Sequence, residues 1–308
     1  MQLYLPIAEL PLNLFLLLGM GGAIGFISGM FGVGGGFLLT PLLIFVGVPA
    51  PVAVATSSVH IAASSVTGSL TYWRRQALDV KLGVVLVAGG LIGTLTGVFF
   101  FNQMRRLGHL DLIITLSYVT LLMSVGCLMF VESIGAMLER RRGKNTALRH
   151  PGEHRWYERL PFTMRFHRSK ISTSVIPLLV LGGVIGFIGT VLGIGGGFLV
   201  VPALIYLFRV PTAVVVGTSL FQILFTMMVA TFLHATVSQA VDVLLALTLV
   251  VGGVVGAQFG ARTGQSLKGE HFRILLALLI LAVGIRFALD IVGKPDEPYS
   301  INATELER

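Results

Sequence analysis

The chain has 308 residues, of which 55% are hydrophobic and only 12% charged, with a mean hydropathy of +0.89. A soluble globular protein carries about twice that share of charge, so the composition excludes a soluble domain and indicates a polytopic helical membrane protein. The net charge of +8 does not point to nucleic acid, because the basic residues fall between apolar stretches, where lysine and arginine set membrane orientation.

Read from the N-terminus, the first charge is Glu9; without a basic n-region, no cleaved signal peptide is expected. Ten apolar segments follow. The first five are Leu12–Met30, a short Phe37–Val48, Ala50–Trp73, Leu82–Phe101 and Leu112–Val131. The second five are Ser174–Leu192, a short Phe198–Phe208, Val210–Leu233, Val243–Ala261 and Ile274–Val292. Several exceed the roughly 18 uncharged residues that mark a spanning helix. Residues 132–172 form a polar linker rich in Arg and His, whose basic character suits an anionic lipid surface. The single cysteine, Cys127, excludes an internal disulfide framework or a multi-cysteine metal site and is expected to pack as a small hydrophobe.

The two sets of five are copies of one unit. Gly32-Val33-Gly34-Gly35-Gly36-Phe37, followed by Pro41, recurs as Gly193-Ile194-Gly195-Gly196-Gly197-Phe198, followed by Pro202, at a shift of 161. Pro49, Thr56 and Ser57 match Pro211, Thr218 and Ser219 at 162; Asp79, Gly89, Gly90, Gly93 and Gly97 match Asp242, Gly252, Gly253, Gly256 and Gly260 at 163. This many matched positions in one order indicates duplication. The expected organisation is residues 1–131 as a first transmembrane repeat, 132–172 as a connector, and 173–308 as a second repeat.

Five spans per copy is an odd number, so the second copy should enter the membrane inverted. With the connector cytoplasmic and ten crossings, 17 of the 22 lysines and arginines lie inside and five outside, as the positive-inside rule favours. Both termini are then outside. Re-entrant short segments would move Arg262 and Lys268 outside and fit less well.

A 12-residue helix reaches about 18 Å, short of the roughly 30 Å hydrocarbon core. The short segments can therefore cross only if the glycine loops before them lie below the membrane surface. Irregular backbone at that depth must be buried in protein or line a cavity. Interrupted helices at matching places of two halves mark the binding site of secondary transporters, and the N-terminus of each short helix suits an anion. A tight turn without a ligand is the plain alternative. Gly-x-Gly-Gly-Gly lacks the spacing of a nucleotide fingerprint. Thr56, Ser57 and Ser58 with His60, and Thr218 and Ser219 with Gln222, add hydroxyls and amphoteric side chains near these loops; they either bind the ligand or join helices. Asp79 and Asp242 are expected to cap helices, Gln76 and Gln239 to lie in loops, and Arg286 with Asp290 to form an ion pair. Glycines repeating every four residues, such as Gly21, Gly25 and Gly29, are expected to be packing strips.

The paired glycine motifs, each followed by proline and Thr-Ser, together with the Asp79 and Asp242 glycine-strip segments, resemble the TauE/SafE family of sulfite and organosulfonate exporters. The resemblance covers nearly the whole chain except 132–172, which is longer than such connectors usually are. It implies a bacterial cytoplasmic-membrane permease for small anions such as sulfite or sulfoacetate, driven by an ion gradient, proton or sodium. The site residues expected are Gly32, Gly34, Gly35, Gly36, Thr56, Ser57, His60, Gly193, Gly195, Gly196, Gly197, Thr218, Ser219 and Gln222. No cofactor, metal or nucleic acid is expected, and the partners are the anion, a coupling ion and the lipid bilayer. A passive anion channel and an intramembrane enzyme using Ser57 and His60 are the alternatives. The enzyme is disfavoured because the two residues lie one turn apart on one helix and Gln222 replaces the histidine in the second copy.

Overall fold

A computed structural model describes residues 2–31, 34–141, 161–166, 168–169, 171–208, 210–263, 277–278, 280–286 and 288–289. The chain begins with an antiparallel hairpin, β1 (Gln2–Leu5) paired with β2 (Leu10–Asn13). Helices α1 (Leu14–Phe31), α2 (Gly36–Phe45), α3 (Ala50–Arg74), α4 (Val80–Arg106) and α5 (Leu110–Arg141) follow. A second hairpin, β3 (Thr163–Phe166) with β4 (Ile171–Ser174), leads into α6 (Val175–Leu192). Helix α7 (Gly197–Pro202) passes directly into a π-helical turn, Ala203–Leu207. Next come α8 (Thr212–Leu233), a π-helical turn over His234–Ser238, and α9 (Val243–Thr263). Residues 277–278, 280–286 and 288–289 are helical and lie in the tenth apolar segment.

Six of the described helices hold a stretch long and apolar enough to cross a membrane: Leu14–Phe31, Val80–Arg106, Leu110–Leu128, Val175–Leu192, Val214–Ser238 and Val243–Thr263. Helix α3 has the length, 25 residues, but Thr56, Ser57, Ser58, His60, Ser64 and Ser65 lower its hydropathy, and all six are buried in protein. In hydrocarbon every backbone polar group must be satisfied within the protein. The two hairpins therefore end in polar caps: Asn13 Oδ1 accepts from Phe15 N at 3.0 Å, and Ser174 Oγ from Ile176 N at 3.3 Å.

The multi-pass helical class matches the expectation, with one correction: the fold is not purely α. The strands are four residues each, too short for an alternating pattern to stand out from the apolar background. They obey the same 161-residue shift as the glycine loops, since Gln2–Leu5 and Leu10–Asn13 map onto Thr163–Phe166 and Ile171–Ser174. Helix α5 runs ten residues past Val131, and β3 begins within the linker. Cys127, expected to be packed, is exposed on α5.

The glycine strips decide the packing. A Cβ at Gly21 would lie 2.5 Å from Leu249 O, and those at Gly25 and Gly29 would collide with the backbone of Gly253 and Ala257, so α1 and α9 touch backbone to backbone. Gly182, Gly186 and Gly93 do the same between α6 and α4, against Leu86, Gly90 and Gly183. Each seam joins a helix of the first half to one of the second, and α3 packs against α8 between them. Gly-to-backbone contacts of this kind replace the hydrophobic drive that lipid cannot supply.

Candidate functional site

Gly35 and Gly196 stand at the N-termini of α2 and α7 with φ of 70° and 73°, in the left-handed region. Their carbonyls accept the first helical amides, from Leu38 and Leu39 and from Leu199 and Val200. Only glycine takes this conformation without strain, and there is no space for more: a Cβ at Gly35 would sit 2.8 Å from Ile24 Cγ2. The two loops meet. A Cβ on Gly36 would come 2.5 Å from Gly193 O, and the rings of Phe37 and Phe198 stand 5.8 Å apart. Gly34 and Gly195 both face the same two side chains, Ile61 of α3 and Ile223 of α8. Gly32 lies outside the described residues; Gly197 opens α7.

The second loop is held by first-half residues. Thr40 Oγ1 of α2 donates to Gly193 O at 2.9 Å, and Tyr118 Oη of α5 donates to Leu192 O at 2.8 Å. Tyr118, fully buried, had no signal in motif or spacing that would have marked it.

The Thr-Ser pairs divide their work. Thr56 Oγ1 accepts from Asp242 N and Thr218 Oγ1 accepts from Asp79 N, each at 3.1 Å. The aspartates cap helices as expected: Asp79 Oδ1 accepts from Leu82 N at 3.3 Å, and Asp242 Oδ1 from Leu244 N and Leu245 N at 3.1 Å. Their other oxygens grip the hairpins of the opposite half. Asp79 Oδ2 accepts from Ser169 N and Oγ at 3.0 and 2.8 Å; Asp242 Oδ2 accepts from Ile7 N and Ala8 N at 2.9 and 3.3 Å. Buried carboxylates are tolerable when hydrogen-bonded in this way. Ser58 and Ser219 donate to the carbonyls of Ala55 and Val216.

Ser57 Oγ, His60 Nδ1 and both polar atoms of Gln222 have no hydrogen-bond partner among the described residues, although all three residues are fully buried. Buried groups left unpaired are costly, and each calls for an explanation such as a ligand, an ion or water. His60 and Gln222, equivalent in sequence, sit in different helix seams. His60 Nε2 donates to Gly21 O at 3.3 Å, inside the α1–α9 seam, where a Cβ at Gly253 would strike the ring. Gln222 Nε2 lies 3.2 Å from the position a Cβ would take on Gly90 of α4. The glycine strips thus leave room for these polar groups as well as for backbones.

The remaining sequence candidates lie apart from this centre. Gln76 and Gln239 are loop residues with φ of 58° and 48°. The Arg286 guanidinium stacks 5.1 Å from the Phe45 ring, and Asp290 is outside the described residues. A cavity of about 490 Å³ between α5 and α6, lined by Ser117, Thr120 and Ser124 among apolar residues, reaches Val191 and Leu192 just before the second loop.

The chain matches the family model described as Sulfite exporter TauE/SafE over residues 17–287. It is 31% identical over 284 residues to a Xylella fastidiosa protein named "Probable membrane transporter protein", covering 89% of this chain and 94% of that one. It is 28% identical over 275 residues to the Bacillus subtilis "Probable membrane transporter protein YjnA", covering 87% and 96%. A Methanocaldococcus jannaschii protein with the same kind of name is 22% identical over 294 residues, covering 90% and 96%. No solved structure matches the chain. With a family match spanning most of its length and relatives named as probable membrane transporter proteins, the chain belongs to the TauE/SafE family of membrane transporters.

Proposed function

We propose that the protein is a secondary transporter of small anions, sulfite or an organosulfonate such as sulfoacetate, working by alternating access of two inverted five-helix repeats. The observation that carries it is the meeting of the two glycine loops and their short helices, with matched unpaired polar groups close by on α3 and α8. The anion is held by loop amides at the helix starts and by Ser57, His60 and Gln222 once the halves separate. Sulfite follows the family description, and the organosulfonates extend it to anions that carry the same sulfur–oxygen group.

The inverted arrangement has geometric support. Helix α4 begins at Asp79, bound to the β3–β4 turn, and ends where Arg105 donates to Ser238 O, four residues before Asp242. Helix α9, the match of α4, begins at that second end, beside the β1–β2 turn. The ten-crossing topology keeps the connector with Arg74, Arg75 and Lys81 on the cytoplasmic face and puts both termini outside.

Thermal stabilisation in detergent against a panel of sulfite, sulfonates, sulfate, phosphate and chloride tests the substrate class. An anion at 100 times its Kd stabilises by about 2.7 kcal/mol. A shift confined to sulfur oxyanions is the expected result. No shift by any anion in folded protein contradicts the reading.

A further inference from the structure

The two halves differ in their titratable chemistry at the position just after the Thr-Ser pairs. His60 and Gln222 are equivalent by the 162-residue shift that aligns Thr56-Ser57 with Thr218-Ser219. They have similar hydrogen-bonding capacity, but only histidine changes charge near neutral pH. From this, we infer that His60 is the proton-coupling residue: each anion moved is accompanied by a proton carried on its Nδ1. This rests on the transporter reading above.

The geometry supplies the coupling. Because Gly21 O can only accept, Nε2 carries the hydrogen in their 3.3 Å contact. Nδ1 is then a bare lone pair without a partner among the described residues, and the ring is fully buried between helices of opposite halves. A second proton would create an N–H and a positive charge at Nδ1 with no acceptor in place, which buried surroundings penalise heavily. Among the described residues no charge stands near it. Helix α1 carries no titratable residue, and those flanking or ending α9, Asp242 and Arg262, stand 11 and nine positions from Gly253, about 16 and 14 Å along the axis. Helices α2 and α6 carry none, α8 carries none before its C-terminal His234, whose ring nitrogens meet Ser238 Oγ and Thr190 O, α5 has no charged residue between Asp111 and Glu132, and its Tyr118 donates to Leu192 O. On α3 itself, Tyr72 and Arg74 lie three turns or more beyond His60.

The closed arrangement therefore offers a second proton on Nδ1 no acceptor. When the α1–α9 seam parts, water reaches Nδ1 and delivers a proton; the imidazolium attracts the anion bound nearby, chiefly by charge. Reclosure with the anion present supplies the missing acceptor, and opening to the other side returns both proton and anion to water. Gln222 at the matching seam offers hydrogen bonds but no charge change, and the second half's buried His234 already has Ser238 Oγ and Thr190 O at its two ring nitrogens, 3.2 and 3.4 Å away, so a single proton is coupled per cycle.

Purified protein in proteoliposomes, with radiolabelled sulfoacetate as the probe, tests this through two readouts: equilibrium exchange and accumulation driven by a one-unit pH gradient with the membrane potential clamped. Wild type should show exchange and up to about tenfold gradient-driven accumulation, one decade per pH unit. His60→Gln, which copies the second half, should lower exchange, because the anion loses one of its binding groups, and should abolish accumulation in whatever exchange remains; His60→Asn serves where the glutamine variant does not fold. Gradient-driven accumulation that survives in either folded variant overturns the inference. Wild-type exchange that ignores the pH gradient also overturns it while leaving the transporter reading standing. Absence of exchange in wild type removes both.

Discussion

The backbone N–H of Asp79 donates to Thr218 Oγ1 at 3.1 Å, and the same bond joins Asp242 to Thr56. Each aspartate thus ties three things together: its own helix start, the hairpin of the other half, and the hydroxyl of the other half's central helix. Thr56→Val or Thr218→Val leaves a buried N–H without an acceptor and should cost about 1–3 kcal/mol. The two sites belong to opposite ends, so the double variant should show roughly additive losses. Melting curves in detergent provide the check; strong non-additivity would mean that the two ends are one cooperative unit.

The glycine strips make a graded prediction. Gly93→Ala drives a methyl into Gly183 O, whereas Gly19 has nothing within 4 Å of its would-be Cβ. Overpacking of the first kind costs about 1–3 kcal/mol, while Gly19→Ala should be neutral or raise stability by up to about 1 kcal/mol through helix propensity. Comparable melting temperatures for the two variants would contradict the packing described.

At the loops, conformation and space act together. Gly35→Ala and Gly196→Ala each place a side chain at positive φ, at about 1–2 kcal/mol of backbone strain, and press it against Ile24 or Ile185. Both variants should lose anion-dependent stabilisation before they lose the ability to fold. Retained stabilisation in both would separate the loops from binding.

Tyr118→Phe removes the donor to Leu192 O while keeping the ring in its buried seat. The protein should remain folded, about 0.5–1.5 kcal/mol less stable, with weaker anion binding because the second loop is less fixed. A variant with unchanged binding would assign Tyr118 to stability alone.

Much of this was legible in the chain. Long apolar runs, the matched Gly-x-Gly-Gly-Gly motifs and the four-residue glycine spacing led directly to helices, paired loops and backbone-to-backbone seams. Asp79 and Asp242 were readable as caps because helix N-termini attract carboxylates. Their second task was not readable, since Ile7, Ala8 and Ser169 are local in neither sequence nor pattern and meet the aspartates only after folding. The hairpins escaped because QLYL and TMRF share a shift but no residue identity. The seams that hold His60 and Gln222 were not readable, because helical spacing gives a face but not the neighbour across it. That neighbour is set by Gly253 in one seam and Gly90 in the other.

Counterflow in proteoliposomes tests the central claim most directly. Vesicles loaded with unlabelled sulfoacetate or sulfite are diluted into the same labelled anion, with wild type compared against Gly35→Ala plus Gly196→Ala. A carrier with its site at the paired loops gives a transient, saturable overshoot of label that other sulfur oxyanions compete away and the double variant lacks. Linear, non-saturable flux, or an overshoot unchanged in the folded double variant, would contradict it.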